Sequence, residues 1–347
     1  MISVHDHGVA STVQPVLLSS ERWDDVWRRN QQLAARVDGT VFVEPARRGF
    51  RARWRVADGV AVVTPAKALP LRWKMGRALH ARLTARAIRA GLPGRPLVVW
   101  ATHALGAPLA RALAAPIVYD RTDDWPAMEQ SPTARGLVEH YDRELIREAD
   151  ALVVVSEPMR DELRQDAVHI PNGVDSAAFS RRPRPGANGR LRIGFAGTLD
   201  PLRFDMDILG ELARADDVTL VLAGPGHTVP GSEHHGVVRH AELPELLATC
   251  DALVAPYRTD CEANRTSDSI KLYEYFATGL PVIATPTAGF ERFPDLVAYW
   301  PVQPPLRDAI AGLGAMAARR REIARHADWE QRASAMQGVL AQAARRW

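Results

Sequence analysis

The sequence predicts an α/β protein built from two doubly wound parallel sheets in series, and three observations lead there. The chain has 347 residues, more than one ordinary core holds, since single cores stop growing near ~250 residues. Short apolar runs rich in Val, Ile and Leu alternate with helical patterns, the rhythm of parallel strands covered on both faces by helices. That rhythm occurs twice, on either side of Arg181–Arg190 (RRPRPGANGR), where Pro, Gly and Arg replace apolar residues as in an exposed linker.

The first set of strands is expected at Pro15–Leu18, Thr40–Val43, Pro96–Trp100, Pro116–Tyr119 and Ala151–Val155, and the second at Leu191–Ala196, Val218–Ala223, Ala252–Ala255 and Pro281–Ala284. This places an N-terminal domain at residues 1–180 and a second domain at 190–304. Beyond Pro304 the pattern is helical, with Leu306, Ile310, Leu313 and Met316 at three- and four-residue spacing. Residues 305–347 are therefore expected as helices packing across both domains. Open α/β sheets bind ligands at the carboxyl ends of their strands, so function is expected in strand-to-helix loops around a central cleft.

Composition bounds the functional classes. With 46% hydrophobic and 24% charged residues the chain reads as globular. No run approaches the ~20 apolar residues of a membrane helix, and the N-terminus lacks a basic patch followed by an apolar stretch, so a cytoplasmic, unprocessed chain is expected. Cys250 and Cys261 have no CxxC spacing and imply neither a disulfide framework nor a thiolate metal site. Net charge is +3, yet residues 1–100 carry 17 Lys/Arg against 7 Asp/Glu. Such asymmetry can mark an anionic membrane, a phosphorylated substrate or nucleic acid. Leu71–Ala90 reads as a basic amphipathic helix with Leu71, Met75, Leu79, Leu83 and Ile88 on roughly one side. Its ordinary reading is a domain-covering helix, and the other is peripheral contact with anionic lipid.

The second half carries the clearest chemistry. After Leu191–Ala196 come Gly197 and Thr198, then Arg203 at the start of a helix expected near Phe204. Glycine permits close backbone approach, a helix N-terminus favours a diphosphate, and arginine adds a permanent charge. Downstream, Ser269–Thr285 (SIKLYEYFATGLPVIAT) predicts a helix ended by Gly279 and followed by a strand. Glu274 on that helix can accept both hydroxyls of a ribose, each charge-assisted bond being worth roughly 1.5–3 kcal/mol. Lys271, three residues earlier, shares its face; the alternative is a surface Lys–Glu pair.

KLYEYFATGLPVIAT resembles the signature of GT-B glycosyltransferases of the large, mostly retaining family-four group. The resemblance extends to Ile170–Asp175 with Phe179 and to GFAGTLDPLRFD at 194–205, and through the residues 19–31 and 119–124 the chain more loosely resembles bacterial cell-surface polysaccharide and teichuronic-acid-type enzymes. It implies two Rossmann-like domains of the GT-B type and transfer of a hexose-type sugar from a UDP, GDP or dTDP sugar to a hydroxyl, with retention. It also implies a glycan, lipid-linked or small-molecule acceptor. Neither a cofactor nor a metal is expected, and nucleic acid is not among the expected partners. By position, Glu274 corresponds to the ribose-binding glutamate and Arg203 to the residue holding the diphosphate. Thr266 stands where typical members carry a second glutamate, and Thr198 where they carry arginine. Asn264, Arg265 and Ser267 are the expected polar substitutes, with Arg265 or Lys271 supplying the positive charge. Ser269 and Leu272 complete the donor set.

In the acceptor half, Trp23, Asp24 and Arg28 lie in the loop and helix start after the first strand. His103 follows the strand at 96–100, as a catalytic contact or a helix cap. Asp120, Asp123 and Asp124 follow the next strand, as a base, an acceptor-orienting group or caps. With retention the leaving phosphate can take the acceptor's proton, and no protein base is obligatory; with inversion one of these aspartates is the base. Asp205-Met206-Asp207 is a DxD, but it falls where acids cap a helix, and His227, His234, His235 and His240 lie in a Gly/Pro loop without ligand spacing. Three rival readings remain: a sugar-nucleotide epimerase or hydrolase, a catalytically silent nucleotide-sugar-binding partner, and a polyanion-binding protein.

Overall fold

The computed structural model describes residues 13–181, 189–303 and 305–347. The expected linker lies mostly outside these, at residues 182–188. The chain divides into two compact units, one comprising residues up to Ile170 together with Glu330–Trp347, the other Pro171–Trp329.

The strands of the first unit are β1 (Gln14–Leu18), β2 (Val41–Val43), β3 (Arg47–Arg48), β4 (Arg53–Ala57), β5 (Val60–Thr64), β6 (Ala66–Lys67), β7 (Leu97–Ala101), β8 (Ile117–Arg121), β9 (Ala151–Val154) and β10 (Val168–His169). Eight form one sheet in the order β10-β9-β8-β7-β1-β2-β5-β4, while β3 and β6 make a small separate ribbon. All pairs are parallel except β4 with β5. The central strands are apolar at nearly every position because helices cover both faces: Val16, Leu17, Val98 and Val99 have no exposed surface. From β1 the chain winds outward through β2 and β5, then returns to start β7 on the other side of β1. The topological switch point, where such sheets bind ligands, therefore lies at the carboxyl ends of β1 and β7, with Leu18 beside Ala101.

The second unit holds β11 (Leu191–Ala196), β12 (Val218–Ala223), β13 (Glu233–His234), β14 (Ala252–Ala255), β15 (Val282–Ala284) and β16 (Val297–Tyr299). They are all parallel, in the order β13-β12-β11-β14-β15-β16. In chain order this is 3-2-1-4-5-6, the arrangement of dinucleotide-binding sheets, with its switch point between β11 and β14. The helix Ile270–Thr278 follows β14 and ends on Gly279 in the left-handed region at φ 76°. Arg320, fully buried, donates to the carbonyls of Gly279 and Leu313, each at 2.9 Å, and fixes the helix Ala317–His326 beneath that cap. Burial, with Arg321 beside it, brings the Arg320 guanidinium down to about 10.

Residues 171–180, assigned from sequence to the first domain, pack within the second unit. The Asn172 amide donates to Asp268 (2.8 Å), Val174 bridges to Asp328, and Phe179 is 1% exposed. The helices Leu306–Gly314 and Ala317–His326 belong to the second unit, whereas Glu330–Trp347 belongs to the first, held there by Arg36–Glu330 at 2.9 Å.

Candidate functional site

At the switch point of the second unit the chain leaves β11 through Gly197, at φ +142°. A Cβ on Gly224 would lie 2.0 Å from the Gly197 carbonyl oxygen, and one on Gly226 would lie 2.4 Å from that of Leu199. The loops after β11 and β12 thus run backbone against backbone, which only glycine permits. The space a Cβ of Gly197 would fill is taken by Lys271, whose Cε would be 2.4 Å away. The Lys271 ammonium sits 5.6 and 5.2 Å from the ring centres of Phe195 and Phe204. Among the described residues no carboxylate lies within ion-pair distance of it.

The helix carrying Lys271 is pinned from both sides. Ser269 caps it, accepting from the Lys271 amide (3.2 Å) and lying 2.6 Å from the Tyr257 hydroxyl. The Tyr275 hydroxyl accepts from the Ala196 amide at the end of β11 (3.0 Å). Glu274 projects from the same helix with its side chain one-tenth exposed. It does not pair with Lys271: its Oε1 accepts from His240 Nε2 at 3.0 Å, and the imidazole rests 5.5 Å from the Phe179 ring. The Glu274 carboxylate raises the His240 pKa against the opposing effect of burial. Arg203 is half-buried, its Nε donating to Asn264 Oδ1 (3.0 Å). Asn264, 1% exposed, in turn donates to the carbonyls of Arg203 and Arg258, so its amide sets where that arginine stands.

The structure therefore gathers Gly197, Ser269, Lys271 and Glu274 around one strand end, with Arg203 carried by the loop that follows it. Thr198 and Arg265 are exposed, and Thr266 is buried at 2%. Leu272 has no exposed surface and packs in the core, so its side chain is not a ligand contact; the helix turns it inward. Sequence spacing does not bring out His240 in this setting, because it stands 34 residues from its partner Glu274. Nor did it bring out Asp268, a buried acceptor for the Asn172 amide (2.8 Å), the Tyr273 hydroxyl (2.9 Å) and Arg292 (2.6 Å). The DxD caps a helix as expected, Asp205 Oδ1 accepting from the amides of Asp207 (3.0 Å) and Ile208 (3.3 Å).

At the switch point of the first unit His103 begins a short 3-10 turn, its Nδ1 accepting from the Leu105 amide (3.1 Å) and its ring 4.4 Å from that of Trp125. Burial pushes its pKa down to about 4. The imidazole is thus neutral near pH 7 with its proton on Nε2, which makes Nε2 a donor. Glu21, just past β1, contacts Arg28 (3.1 Å) and Asn30 (3.3 Å), and its carboxyl is raised chiefly by burial.

Several acceptor-side candidates turn out to be structural. Asp120 has no exposed surface; both its oxygens bind Arg29 at 3.0 Å, and Trp100 donates to one of them at 3.3 Å. It would have to break a buried ion pair to act as a base. Asp124 caps the short helix Trp125–Met128 and pairs with Arg121 at 3.2 Å. Trp23 is 1% exposed, stacked edge-on against Phe42 and donating to Asp58 (2.8 Å), so it belongs to the core rather than to an acceptor surface. Asp24 pairs at the surface with Arg55 (2.9 Å), and Arg28 is exposed beside Glu21.

Comparison with known proteins agrees with this architecture. The family model described as "Glycosyl transferases group 1" matches residues 190–306, and that described as "Glycosyl transferase 4-like domain" matches 26–173. The chain belongs to the family-four type of GT-B glycosyltransferases. Within this family-four chain, Gly197, Arg203, Lys271 and Glu274 lie in the first match, while His103 and Asp120 lie in the second. TuaH of Bacillus subtilis, a glycosyltransferase named for teichuronic acid biosynthesis, is 25% identical over 255 residues, 61% of this chain and 64% of its own length. A phosphatidyl-myo-inositol mannosyltransferase of Mycobacterium leprae is 32% identical over 142 residues, 38% of each chain. The chain thus spans less than two thirds of the length of either relative. Among solved structures, sucrose-phosphate synthase of Thermosynechococcus elongatus superposes with a TM-score of 0.71 at 16% identity, covering 95% of this chain and 98% of its own. HepE of Anabaena, with UDP and glucose, gives 0.69 at 14%, covering 94% and 99%. At these identities the likeness is one of fold.

Proposed function

We propose that this protein transfers a hexose-type sugar from a nucleoside-diphosphate sugar to a hydroxyl acceptor, with retention of configuration and without a metal ion. The observation that carries the reading is the pair of side chains at the second unit's switch point. Glu274 is a nearly buried carboxylate held by His240, and Lys271 is a cation laid over Gly197 with no carboxylate partner among the described residues. A ribose diol suits Glu274, and a diphosphate suits Lys271, Arg203 and the Gly197 backbone. UDP in the HepE structures supports the same donor class.

Chemically, the bond between the sugar's C1 and the phosphate oxygen breaks, a bond from C1 to the acceptor oxygen forms, and the acceptor's proton passes to the leaving phosphate. The lock on Asp120 favours this route, because it removes that carboxylate as a base. In the first unit, the neutral His103 offers its Nε2–H to a sugar hydroxyl.

The test is thermal unfolding with UDP-, GDP- and dTDP-hexoses. A ligand that binds only the folded state at 100 times its Kd adds about 2.7 kcal/mol. At least one donor should raise the melting temperature, and no shift with any of them would overturn the proposal.

A further inference from the structure

The helix Lys74–Gly91 buries Gly76, Ala81, Thr84, Ala85 and Ile88 against the first unit. That face is enough to seat it, yet the opposite side is also apolar. Met75, Leu79 and Leu83, spaced by four, are 76%, 40% and 50% exposed. Next to the helix start, Trp73 is 51% exposed, and on the loop after β3 Phe50 is 92% exposed. The ribbon and the helix are joined, since His80 Nδ1 lies 3.1 Å from the Ala66 carbonyl and Ala66 pairs with Arg47. The helix and the ribbon beside it thus display five large apolar side chains that the core of the first unit does not use.

The charges carried by this stretch of the chain are almost all of one sign. Residues 45–95 contain thirteen Lys/Arg and one acid, Asp58, and Asp58 accepts from Trp23 (2.8 Å). Arg47, Arg48, Arg51 and Arg53 surround Phe50 in sequence, and all four line a depression with it. Lys74, Arg82 and Arg86 flank the helix stripe, and Arg82, Arg86 and Arg89 line a shallow groove floored by Ala85, Ala90 and Ala112. Among the described residues Arg47, Arg48, Arg51, Arg53, Lys74, Arg82, Arg86 and Arg89 have no carboxylate within ion-pair distance, whereas Arg55 pairs with Asp24 and Glu44.

We propose that this face docks on an anionic lipid bilayer, with Phe50, Met75, Leu79 and Leu83 entering the acyl boundary and the arginines meeting headgroup phosphates. A polyanion such as a nucleic acid or an acidic glycan would account for the charge but not for apolar side chains at helical spacing pointing into water. A bilayer accounts for both. No helix among the described residues is long and apolar enough to cross a membrane, so the contact lies on the surface. The inference does not rest on the donor-site reading.

The test is co-sedimentation of the full chain with vesicles of phosphatidylcholine alone and of phosphatidylcholine with phosphatidylglycerol, at low and high salt. Binding is expected only with phosphatidylglycerol, weakened by salt. Each headgroup-facing cation removed should weaken it roughly 5-fold, so Arg82→Glu/Arg86→Glu should lose at least ~25-fold. Phe50→Ser/Leu79→Ser should also weaken it, and, being at exposed positions, these variants should melt as the wild type does. Absence of binding to phosphatidylglycerol vesicles at low salt overturns the proposal. So does binding that the apolar substitutions leave unchanged, which would make the face a site for a soluble polyanion.

Discussion

Gly197→Ala isolates the feature on which the donor site is built. The new methyl would lie 2.4 Å from Lys271 Cε and 2.6 Å from its Nζ, at a backbone φ of +142°. Two costs follow, and they separate experimentally. Holding a non-glycine residue in that conformation costs of order 1–3 kcal/mol, which lowers the melting temperature by about 2–12 °C for a unit of this size. Driving the ammonium from its seat over Phe195 and Phe204 removes one charge-assisted bond to the donor's diphosphate, roughly 1.5–3 kcal/mol or a ~10- to 150-fold rise in Kd. Lys271→Ala should reproduce the affinity loss without the loss of stability, because it removes the side chain and leaves the backbone relaxed. Calorimetric melting and titration with the donor nucleotide measure the two effects. A Gly197→Ala protein that binds nucleotide as tightly as wild type would refute the placement of Lys271 at the phosphates.

Other expectations follow from the same geometry. Glu274→Gln keeps the shape but removes the charge, and should weaken nucleotide binding by roughly 10- to 150-fold in titration. Because Glu274 raises the His240 pKa above its ordinary 6.5, the pair's stabilisation is full below that value and fades as pH rises through the folded-state pKa. His240→Ala should therefore lower the melting temperature more at pH ~6 than at pH ~9, and an equal loss at both would count against the ion pair. Asp120→Asn leaves Arg29 buried without its partner and should cost about 3–5 kcal/mol in a denaturant melt. The same variant, while folded, should still show the donor-induced thermal shift.

Much of the fold is legible in the sequence, because strands buried on both faces are continuous apolar runs: β1, β7, β9, β11, β12 and β14 lie within about one residue of their expected positions. The β4–β5 hairpin escaped, although Asp58-Gly59, both at positive φ, marks its turn; Arg53 and Arg55 break the apolar run that signals a strand. Helical spacing gives a stripe but not its direction. Met75, Leu79 and Leu83 would be spaced alike facing the core or the solvent, and only packing shows that they face outward. Residue chemistry is similarly silent about partners distant in sequence. Asp120 reads as a candidate base until Arg29, 91 positions away, closes on it, and His240 reads as a loop histidine until Glu274 engages it.

The central claim is that the second unit holds a nucleoside-diphosphate sugar through Glu274. Isothermal titration of the wild-type chain and of Glu274→Ala with UDP-, GDP- and dTDP-hexoses tests it most directly. The account predicts saturable one-to-one binding of at least one donor by the wild type, weakened at least ~10-fold in a variant that is still folded. Equal affinity in the two proteins, or no binding by the wild type, would contradict it.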